Sequence, residues 1–266
     1  MVPRRDVIAR LLRRRELSPT TYSAVFRLEE PLPEPLPGQF VMLGPAGGEN
    51  PFWRRAFSVA SCRDDELEIM VRVVGPGTAY WRQAPTGAQA ALLGPLGNGF
   101  SLEAVGGRIA LVAGGIGLPP LLFAAEAAAA AGRPADLFHG AATADEVLEP
   151  ERCARIAAAS GGRLVITTDD GSAGEPGLVT TALDRSLGAT PYGLILACGP
   201  LPMLAAVARL SQQHGISAQL AMEERMACGV GVCLGCVVPR AGGGHARVCA
   251  DGPVFGADEL DWEALV

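Results

Sequence analysis

Four of the seven cysteines stand close together near the end of the chain. Cys228, Cys233 and Cys236 have the spacing C-x4-C-x2-C, and twelve residues separate Cys236 from Cys249. This spacing is typical of plant-type [2Fe-2S] sites, in which four thiolates bind two irons and three of them come from one loop. Glycines between the cysteines let backbone N–H groups turn toward the sulfurs without clashes from a Cβ atom. The pattern therefore predicts a [2Fe-2S] cluster held by these four residues.

A zinc site is the alternative for the same cysteines. Zinc-binding cysteines commonly come in C-x2-C pairs, but here Cys233 and Cys236 form one such pair and Cys228 is left over. A disulfide framework is not expected, because the number of cysteines is odd and the N-terminus carries no recognisable secretion signal. The remaining cysteines are scattered along the chain, at Cys62, Cys153 and Cys198.

A second set of residues could bind a flavin dinucleotide. The sequence Arg-Ala-Phe-Ser at Arg55–Ser58 joins two strand-like segments. Its arginine could pair with a pyrophosphate through charge-assisted hydrogen bonds, its phenylalanine could lie against a flavin ring, and its serine could bond the ring edge. Further along, Arg72 adds a positive charge, and the turn at Gly75–Thr78 could approach a phosphate closely. Taken alone, the motif also fits an ordinary strand with an exposed arginine.

Two strand-to-helix turns could bind a nucleotide. The first contains Gly114, Gly115 and Gly117 after an apolar strand, and its N–H groups and helix N-terminus favour an anion. It is not the full G-x-G-x-x-G fingerprint of a Rossmann site. The second turn, Cys198–Pro200, also ends a strand and precedes a helix. Ligands of open α/β sheets bind at the carboxyl ends of strands, and both turns satisfy this rule. A tight structural turn is the alternative for each.

Asp169 and Asp170 follow a third strand of the same region. Carboxylates in that position can bond ribose hydroxyls and repel a 2′-phosphate, which favours NAD over NADP; a solvated loop is the alternative. The three histidines have no spacing that indicates a metal site or a catalytic triad, so we interpret them as bystanders. Electron and hydride transfer need no triad, because the cofactors supply that chemistry. These histidines are His139, His214 and His245.

The chain changes character twice, which divides it into three expected domains. Over about the first hundred residues, strand-like runs such as Tyr22–Leu28 alternate with turn signals such as Gly75–Gly77, and they indicate a small barrel or sandwich. Strand and helix patterns then alternate, with a helix expected at Leu201–His214, which predicts a parallel sheet in an α/β domain. The Cys- and Gly-rich tail is too short for a core of its own, and a metal cluster would compensate. We place these domains at residues 1–102, 103–218 and 219–266.

Composition argues against several other classes of protein. The net charge of −6 disfavours non-specific nucleic-acid binding. The most apolar run, residues 117–131, contains two prolines and Glu126 and is shorter than the ~20 apolar residues of a bilayer span. The N-terminal residues lack the apolar segment of a secretion signal. We therefore expect a cytoplasmic protein that binds neither nucleic acid nor membrane.

The order of these motifs resembles that of the electron-transfer subunits of two-subunit, NAD-linked dihydroorotate dehydrogenases, within the ferredoxin–NADP reductase superfamily. The resemblance covers nearly the whole chain. It is carried by the segments Arg55–Ser58, Gly77–Thr78, Leu93–Phe100, Gly114–Pro120, Thr168–Ser172, Cys198–Pro200, Glu223–Gly229 and Val248–Phe255, together with the four clustered cysteines.

The resemblance implies a fold and a set of cofactor sites. It implies a multi-domain protein with an N-terminal antiparallel β-barrel that binds FAD, a central α/β nucleotide domain with a parallel sheet, and a small C-terminal [2Fe-2S] domain. The residues implied for FAD are Arg55, Ala56, Phe57, Ser58, Val71, Arg72, Val73, Gly77 and Thr78. Those expected for NAD are Gly114, Gly115, Gly117, Asp169, Gly199 and Pro200, with Cys198 near the nicotinamide or the flavin.

The resemblance also implies a partner. In the family, a separate catalytic subunit carries FMN and oxidises dihydroorotate to orotate in pyrimidine biosynthesis, and the electrons pass through the cluster and FAD to NAD+. The complex contains two copies of each subunit. Two alternatives stay open. One is a sister subunit that serves another partner, of the transhydrogenase or sulfide dehydrogenase type, and the other is a non-enzymatic binding protein with a structural zinc in its tail.

Overall fold

The computed structural model describes residues 4–48, 50–102 and 106–266. The first residues of the chain, and residue 103 where the nucleotide domain is expected to begin, lie outside these ranges. Within them, the chain forms a barrel-like antiparallel sheet, a second seven-stranded sheet with helices on both faces, and a tail with a two-stranded sheet.

The N-terminal strands form one antiparallel sheet. They are β1 Arg5–Glu16, β2 Thr21–Leu28, β3 Phe40–Pro45, β4 Arg55–Ser58, β5 Ser61–Arg63, β6 Glu66–Arg72 and β7 Gln89–Leu96. Their order is β4-β3-β7-β1-β2-β6-β5, so the two edge strands are consecutive in the chain. Between them, the N–H of Val59 donates to the Gln39 carbonyl and the N–H of Ala60 donates to the Glu68 carbonyl. These bonds close the sheet, which confirms the expected barrel.

Alternate side chains of the barrel strands point inward and form an apolar core. Phe26 of β2 and Ile69 of β6 are fully buried there. The helix α1, Pro76–Gln83, adds Trp81, whose ring meets Phe26 edge-on with 5.1 Å between the ring centroids. The prediction of a turn at Gly75–Gly77 is wrong, because this segment starts the helix α1. Proline suits the first position of a helix, where its missing N–H leaves no bond unmade.

The middle of the chain alternates strands with helices. The strands are β8 Arg108–Gly114, β9 Ala135–Ala141, β10 Leu164–Thr168, β11 Glu175–Pro176, β12 Tyr192–Cys198 and β13 Ser217–Ala221. The helices are α2 Leu118–Ala130, α3 Pro150–Ala159, α4 Val179–Ala189 and α5 Leu201–His214. All six strands are parallel, with β8 between β9 and β12. The expected α/β domain and the expected helix at Leu201–His214 are confirmed.

Helices cover both faces of this parallel sheet, which explains why its strands are apolar throughout. Ile109 and Leu111 of β8 pack on the side of α2 and α3, whereas Ala110 and Val112 pack on the side of α4 and α5. In the part of the chain that the structure describes, no helix has both the length and the apolar character of a membrane span.

The tail completes the second sheet. It contains β14 Val237–Pro239, β15 His245–Arg247, β16 Val254–Gly256 and the short helix α6 Trp262–Leu265. The strands β14 and β15 pair with each other, whereas β16 pairs antiparallel with β13 and gives the order β11-β10-β9-β8-β12-β13-β16. The proposed boundary between residues 218 and 219 therefore falls inside β13, and the tail supplies a strand to the nucleotide domain.

Asn98 joins the barrel to the tail. Its side-chain amide donates to the Val254 carbonyl at 2.8 Å and accepts from the Val254 N–H at 2.9 Å. Its own N–H donates to the Gly252 carbonyl at 2.7 Å. Beside it, a Cβ atom on Gly97 would overlap the Pro253 ring, so glycine permits this close approach. These contacts bring together two of the segments that carry the family resemblance.

A partly buried ion pair joins the barrel to the nucleotide domain. Arg152 of α3 lies 2.8 Å from Glu68 of β6 and 3.5 Å from Glu126 of α2. The Ser23 hydroxyl also donates to Glu68, at 2.6 Å. Because the buried charges are paired and hydrogen-bonded, their desolvation is compensated. The pair fixes one side of the nucleotide domain against the barrel.

Replacing Asn98 with alanine removes both side-chain bonds to Val254 and leaves two backbone groups unpaired. A buried polar group without a partner costs ~1–3 kcal/mol, so we expect the thermal unfolding midpoint to fall by roughly 2–10 °C. We also expect limited proteolysis to release the tail faster. The control Gln213→Ala changes an exposed residue of α5 and should alter neither measurement. Equal protease resistance of the Asn98 variant and the parent chain would contradict the role of Asn98.

Candidate functional site

The four clustered cysteines lie in two interacting pairs. The Cys228 thiol interacts with Cys233, and the Cys249 thiol interacts with Cys236. Two irons that share sulfides need two thiolates each, so two pairs match the donor set of a [2Fe-2S] cluster. The arrangement therefore favours the two-iron cluster.

Backbone N–H groups of the loop point at the cysteine sulfurs. The N–H of Gly231 donates to Cys249 Sγ at 3.1 Å, and that of Val230 donates to Cys228 Sγ at 3.4 Å. Burial raises the pKa of the Cys228 thiol, but hydrogen bonds from the N–H groups of Cys233 and Val230 outweigh burial and lower this pKa to about 6. The loop thus stabilises a thiolate, which is the form that binds iron.

The cluster loop rests on the barrel. Gly229 has a left-handed φ of 67°, and a Cβ atom there would lie 2.5 Å from Met42 Cγ of β3. Gly231 has a φ of 81°, and its Cβ atom would lie 2.8 Å from that of Ala250. Backbone conformation and close packing both require glycine at these positions. The loop can therefore approach the barrel only because Gly229 has no side chain, whereas Gly231 permits the loop to pack on the tail at Ala250.

The two cysteine pairs differ in their surroundings. Cys236 and Cys249 are buried in an apolar cluster that also contains Phe40 and Met42 of the barrel. Cys233, in contrast, is exposed. One side of the metal site is therefore buried in a core that includes barrel residues, and the other side faces solvent.

On the barrel, Arg55 lies beside the N-terminus of α1. A Cβ atom on Gly77 would overlap the Arg55 guanidinium, so glycine lets the positive charge and the helix end meet. The Thr78 hydroxyl accepts from the N–H groups of Val74 and Gly75 at 2.9 and 3.1 Å, which fixes the turn before the helix. A guanidinium beside a helix N-terminus can hold a phosphate or pyrophosphate group.

The other residues implied for FAD have different surroundings. Phe57 and Val71 are buried in the barrel core. The Phe57 ring therefore has little surface left to lie against a flavin, and Val71 can offer only its backbone. Arg72 does not lie at the Gly77 turn, because its guanidinium is next to Gly115 of the nucleotide domain. Ala56, Ser58 and Val73 are half-buried, as is Arg72.

The two expected nucleotide turns lie against each other, since β8 and β12 are neighbouring strands. A Cβ atom on Gly117 would overlap the Cys198 carbonyl, and one on Gly199 would lie 3.0 Å from Gly114 Cα. Close packing therefore requires glycine at positions 117 and 199. At Gly115 the backbone conformation favours glycine, because its φ of 51° is left-handed. Together the turns Gly114–Gly117 and Cys198–Pro200 form one surface, which we call the glycine floor. It lies at the carboxyl ends of the strands, where ligands of α/β sheets bind.

Cys198 ends β12 at this floor, just before Pro200 and α5. Burial raises the pKa of its thiol to about 12, and the nearby Glu223 carboxylate acts in the same direction. The raised pKa favours the protonated thiol at neutral pH. It can offer a neutral S–H group to a bound ring.

Asp169 follows β10 at the same edge of the sheet and is exposed. Its neighbour Asp170 accepts from the Ser172 hydroxyl at 2.6 Å and from the Ser172 N–H at 3.0 Å. These bonds lower the pKa of Asp170. Asp170 thus shapes the loop, while the Asp169 carboxylate is accessible to a ligand at this edge.

Spacing alone assigns no role to His139, but the structure places it in β9, fully buried and close to Gly115. Among the described residues, neither ring nitrogen has a hydrogen-bond partner. Burial lowers the pKa of His139 to about 4, although the Gly115 carbonyl favours the protonated ring. The ring is therefore neutral at neutral pH and adds no charge to the glycine turn. Only the packing of β9 against β8 brings it there.

A closed barrel, a parallel sheet with a glycine turn and a tail with paired thiols define a reductase of the ferredoxin–NADP reductase class with an iron–sulfur domain. A sequence model of the iron–sulfur cluster binding domain of dihydroorotate dehydrogenase B matches residues 223–261. A second, of an oxidoreductase NAD-binding domain, matches residues 111–209. Both agree with the positions of the paired thiols and the glycine floor.

Curated relatives cover nearly the full length of the chain. It is 35% identical to the dihydroorotate dehydrogenase B (NAD(+)) electron transfer subunit of Caldanaerobacter subterraneus subsp. tengcongensis, over 95% of this chain and 97% of that protein. It is 40% identical to the same subunit from Bacillus caldolyticus, over 84% of this chain and 86% of that protein. The chain therefore belongs to the family of dihydroorotate dehydrogenase B (NAD+) electron-transfer subunits, as its motifs predict. Membership implies a catalytic partner.

Solved structures agree with this fold. An NADH-dependent reduced ferredoxin-NADP oxidoreductase, described for flavin-based electron bifurcation, superposes with a TM-score of 0.84 at 26% identity, over 97% of this chain and 91% of that chain. An Amycolatopsis cytochrome P450 reductase superposes with a TM-score of 0.70 at 29% identity, over 80% of this chain and 67% of that chain. Family and fold confirm the expected cofactors, which are a [2Fe-2S] cluster, FAD and NAD.

The substitution Arg55→Ala removes the guanidinium that lies beside Gly77, at the N-terminus of α1. Such a charge-assisted contact contributes about 1.5–3 kcal/mol, so we expect FAD to dissociate roughly ten- to a hundredfold more readily. FAD retained after dilution and ultrafiltration measures this. The matched control is Arg54→Ala, because Arg54 pairs with Asp6 at 2.9 Å instead, and it should keep its FAD. Equal retention by both variants would mean that Arg55 does not hold the flavin.

Proposed function

We propose that this chain receives electrons from an FMN-containing catalytic subunit that oxidises dihydroorotate to orotate, and that it passes them through the [2Fe-2S] cluster and FAD to NAD+. The proposed complex contains two copies of each subunit. It works in pyrimidine biosynthesis in the cytoplasm, where reducing conditions suit seven cysteines that form no disulfide bonds. The observation that carries the proposal is the two-sided metal site, in which Cys236 and Cys249 are buried in a core that includes barrel residues and Cys233 is exposed to solvent.

When bound, the cluster exchanges single electrons and FAD exchanges one or two, so together they can convert single electrons into a hydride for NAD+. The residues of the chain arrange these groups in sequence. The two cysteine pairs hold the irons. Arg55 and the N-terminus of α1 at Gly77 hold the flavin phosphates. The glycine floor holds the nicotinamide nucleotide. Contact between Gly229 and Met42 keeps the cluster loop against the barrel.

Two residues of the nucleotide domain support the choice and placement of NAD. The Asp169 carboxylate stands at the carboxyl edge of the sheet, where it can bond a ribose and repel a 2′-phosphate. Cys198 presents a neutral thiol beside Glu223 at the glycine floor. We assign Cys198 to the nicotinamide end of the site, where an uncharged group can contact the ring without competing for the hydride.

A second candidate has the same cofactors and a different partner. The solved structure with a TM-score of 0.84 is that of a bifurcating NADH-dependent reduced ferredoxin-NADP oxidoreductase. A subunit of this kind would still exchange electrons with a nicotinamide nucleotide, but it would not associate with a dihydroorotate-oxidising subunit. Co-expression therefore separates the two functions.

The test is to co-express this chain with the catalytic subunit from the same genome and to measure NAD+ reduction by dihydroorotate. We expect a stable complex and an activity that neither subunit shows alone. Cys233→Ser should abolish this activity and leave NADH-driven reduction of a small dye largely intact, because hydride exchange needs only the flavin and the nucleotide floor. The control Cys62→Ser alters a cysteine of β5 in the barrel and should keep both activities.

Two results would count against the proposal. Failure of the subunits to associate, while dye reduction persists, would favour the second candidate. Loss of dye reduction in a Cys233→Ser protein that keeps its FAD would mean that the order of the electron path is wrong.

The exposed apolar residues around Cys233 form a surface that we call the cluster face, defined by Val232, Leu234 and Val237. Val232 is 78% exposed and Leu234 is 59% exposed. Large apolar side chains that remain in contact with water commonly mark a protein interface. We propose that the catalytic subunit binds to the cluster face, which would bring its own redox centre close to the solvent-facing edge of the metal site.

Leu234→Asp places a charge in the middle of the cluster face. Burial of a leucine side chain contributes about 1.5–3 kcal/mol, so we expect affinity for the catalytic subunit to fall at least roughly tenfold. Titration calorimetry of the purified subunits measures this, with iron and FAD contents as checks on folding. The control Leu178→Asp alters an equally exposed leucine, at 60%, just before α4. Unchanged affinity of the Leu234 variant would exclude the cluster face as the interface.

A further inference from the structure

We propose that Arg247 raises the reduction potential of the [2Fe-2S] cluster through its positive charge, and that Asp251 limits this effect as the counter-charge. The inference rests on the proposed function only in that the tail binds a [2Fe-2S] cluster. It gives a role to two residues that bind no iron themselves and act on the cluster through their position beside its ligands.

Arg247 and Asp251 stand on either side of a cluster ligand in the chain. Arg247 ends β15, and Cys249 lies midway between it and Asp251. The Arg247 N–H donates to the Asp251 carboxylate at 2.8 Å, and the Asp251 N–H donates to the Arg247 carbonyl at 2.8 Å. The backbone around Cys249 is therefore closed into a turn, and the two charged residues form its ends.

The side chains of the two residues form a fork. Arg247 Nε donates to Asp251 Oδ2 at 3.0 Å, and Arg247 Nη2 donates to Asp251 Oδ1 at 2.8 Å. Two parallel bonds of this kind fix the plane and the direction of a guanidinium. The fork leaves Nη1 of Arg247 available for another acceptor and determines where this nitrogen lies.

Arg247 Nη1 reaches the loop that carries the other three cysteines. It donates to the Gly231 carbonyl at 3.2 Å, and the Gly231 N–H in turn donates to Cys249 Sγ at 3.1 Å. A Cβ atom on Gly231 would lie 3.1 Å from Nη1, so the missing side chain permits this approach. Only one residue therefore separates the positive charge from a ligand sulfur.

The charge of Arg247 acts on the buried pair of cysteines. The hydrogen bond with Asp251 raises the pKa of Arg247, and the negative charges of Cys249 and Cys236 act in the same direction. The same attraction stabilises negative charge on these two sulfurs. An added electron makes a cluster with thiolate ligands more negative, so a nearby positive charge favours the reduced state.

Two features limit the size of this effect. The side chain of Arg247 is 39% exposed and that of Asp251 is 28% exposed, so water screens part of the charge. The Asp251 carboxylate also cancels part of the field of the guanidinium. Removal of one charge and removal of the other should therefore shift the potential in opposite directions, although both substitutions break the same fork.

The test is a redox titration of the isolated protein, loaded with FAD and cluster, in which electron paramagnetic resonance follows the reduced cluster. We expect Arg247→Gln to lower the equilibrium constant for one-electron reduction about three- to tenfold, which corresponds to about 30–60 mV. Asp251→Asn should raise this constant about two- to fivefold. Arg247→Lys keeps the charge and should stay within about twofold of the parent protein.

A similar fork in the barrel provides the matched control. Arg82 of α1 donates to Glu16 of β1 from Nε at 3.1 Å and from Nη2 at 2.7 Å. Arg82→Gln should therefore leave the potential of the cluster unchanged. Contents of iron, acid-labile sulfide and FAD show that each variant is folded and loaded.

Three results would overturn the proposal. These are an unchanged potential in Arg247→Gln, a shift in Arg247→Lys as large as that in Arg247→Gln, and shifts of the same sign in Arg247→Gln and Asp251→Asn. The third result would mean that the fork only supports the loop. If Arg247→Gln does not retain its cluster, the sign in Asp251→Asn still decides. The titration needs no partner subunit, so its outcome is independent of whether dihydroorotate activity is found.

Discussion

Asn98 binds both backbone groups of Val254 with one amide side chain, and the relation among all three domains depends on this contact. Asn98 belongs to the segment that leaves the barrel, and Val254 begins β16 of the nucleotide sheet. The four cysteine ligands lie in the chain between β13 and β16. One pair of residues therefore ties the barrel, the cluster loop and the nucleotide sheet together. A path for electrons needs its centres at fixed separations, and this contact contributes to that rigidity together with the ion pair of Arg152 and the apolar core that the domains share.

Glycines make the closest contacts in each of these sites, because they have no side chain. Gly77 lets Arg55 reach a helix end, Gly229 lets the cluster loop reach the barrel, and Gly117 lets the two nucleotide turns meet. Each glycine brings a backbone or a charge closer to a cofactor than any other residue would allow. In the proposed sites, cofactors would therefore contact mainly backbone groups, and Arg55 beside Gly77 would supply a positive charge for the flavin phosphates.

Local patterns in the sequence were sufficient to predict those features whose chemistry or periodicity is itself local. The cysteine spacing identifies the cluster because three ligands come from one loop, and α5 follows from its regular apolar face. Pro76 fits both a turn and a helix start, so the sequence could not decide between them. The strand β16 has three residues in a glycine-rich segment and exists only because β13 offers it an edge. The contact between Arg72 and Gly115 depends on domain packing, which no local pattern records.

The position of β16 has a consequence for how the protein is made. It is the last strand of the chain, yet it covers the edge of β13, so during synthesis that edge stays open until residue 256 has left the ribosome. An uncovered strand edge invites pairing with other chains. The nascent protein therefore passes through a stage in which its barrel and most of its nucleotide sheet are complete while its cysteines have just emerged. Closure of the sheet therefore follows soon after the four cysteines have emerged, because β16 comes directly after Cys249 in the chain.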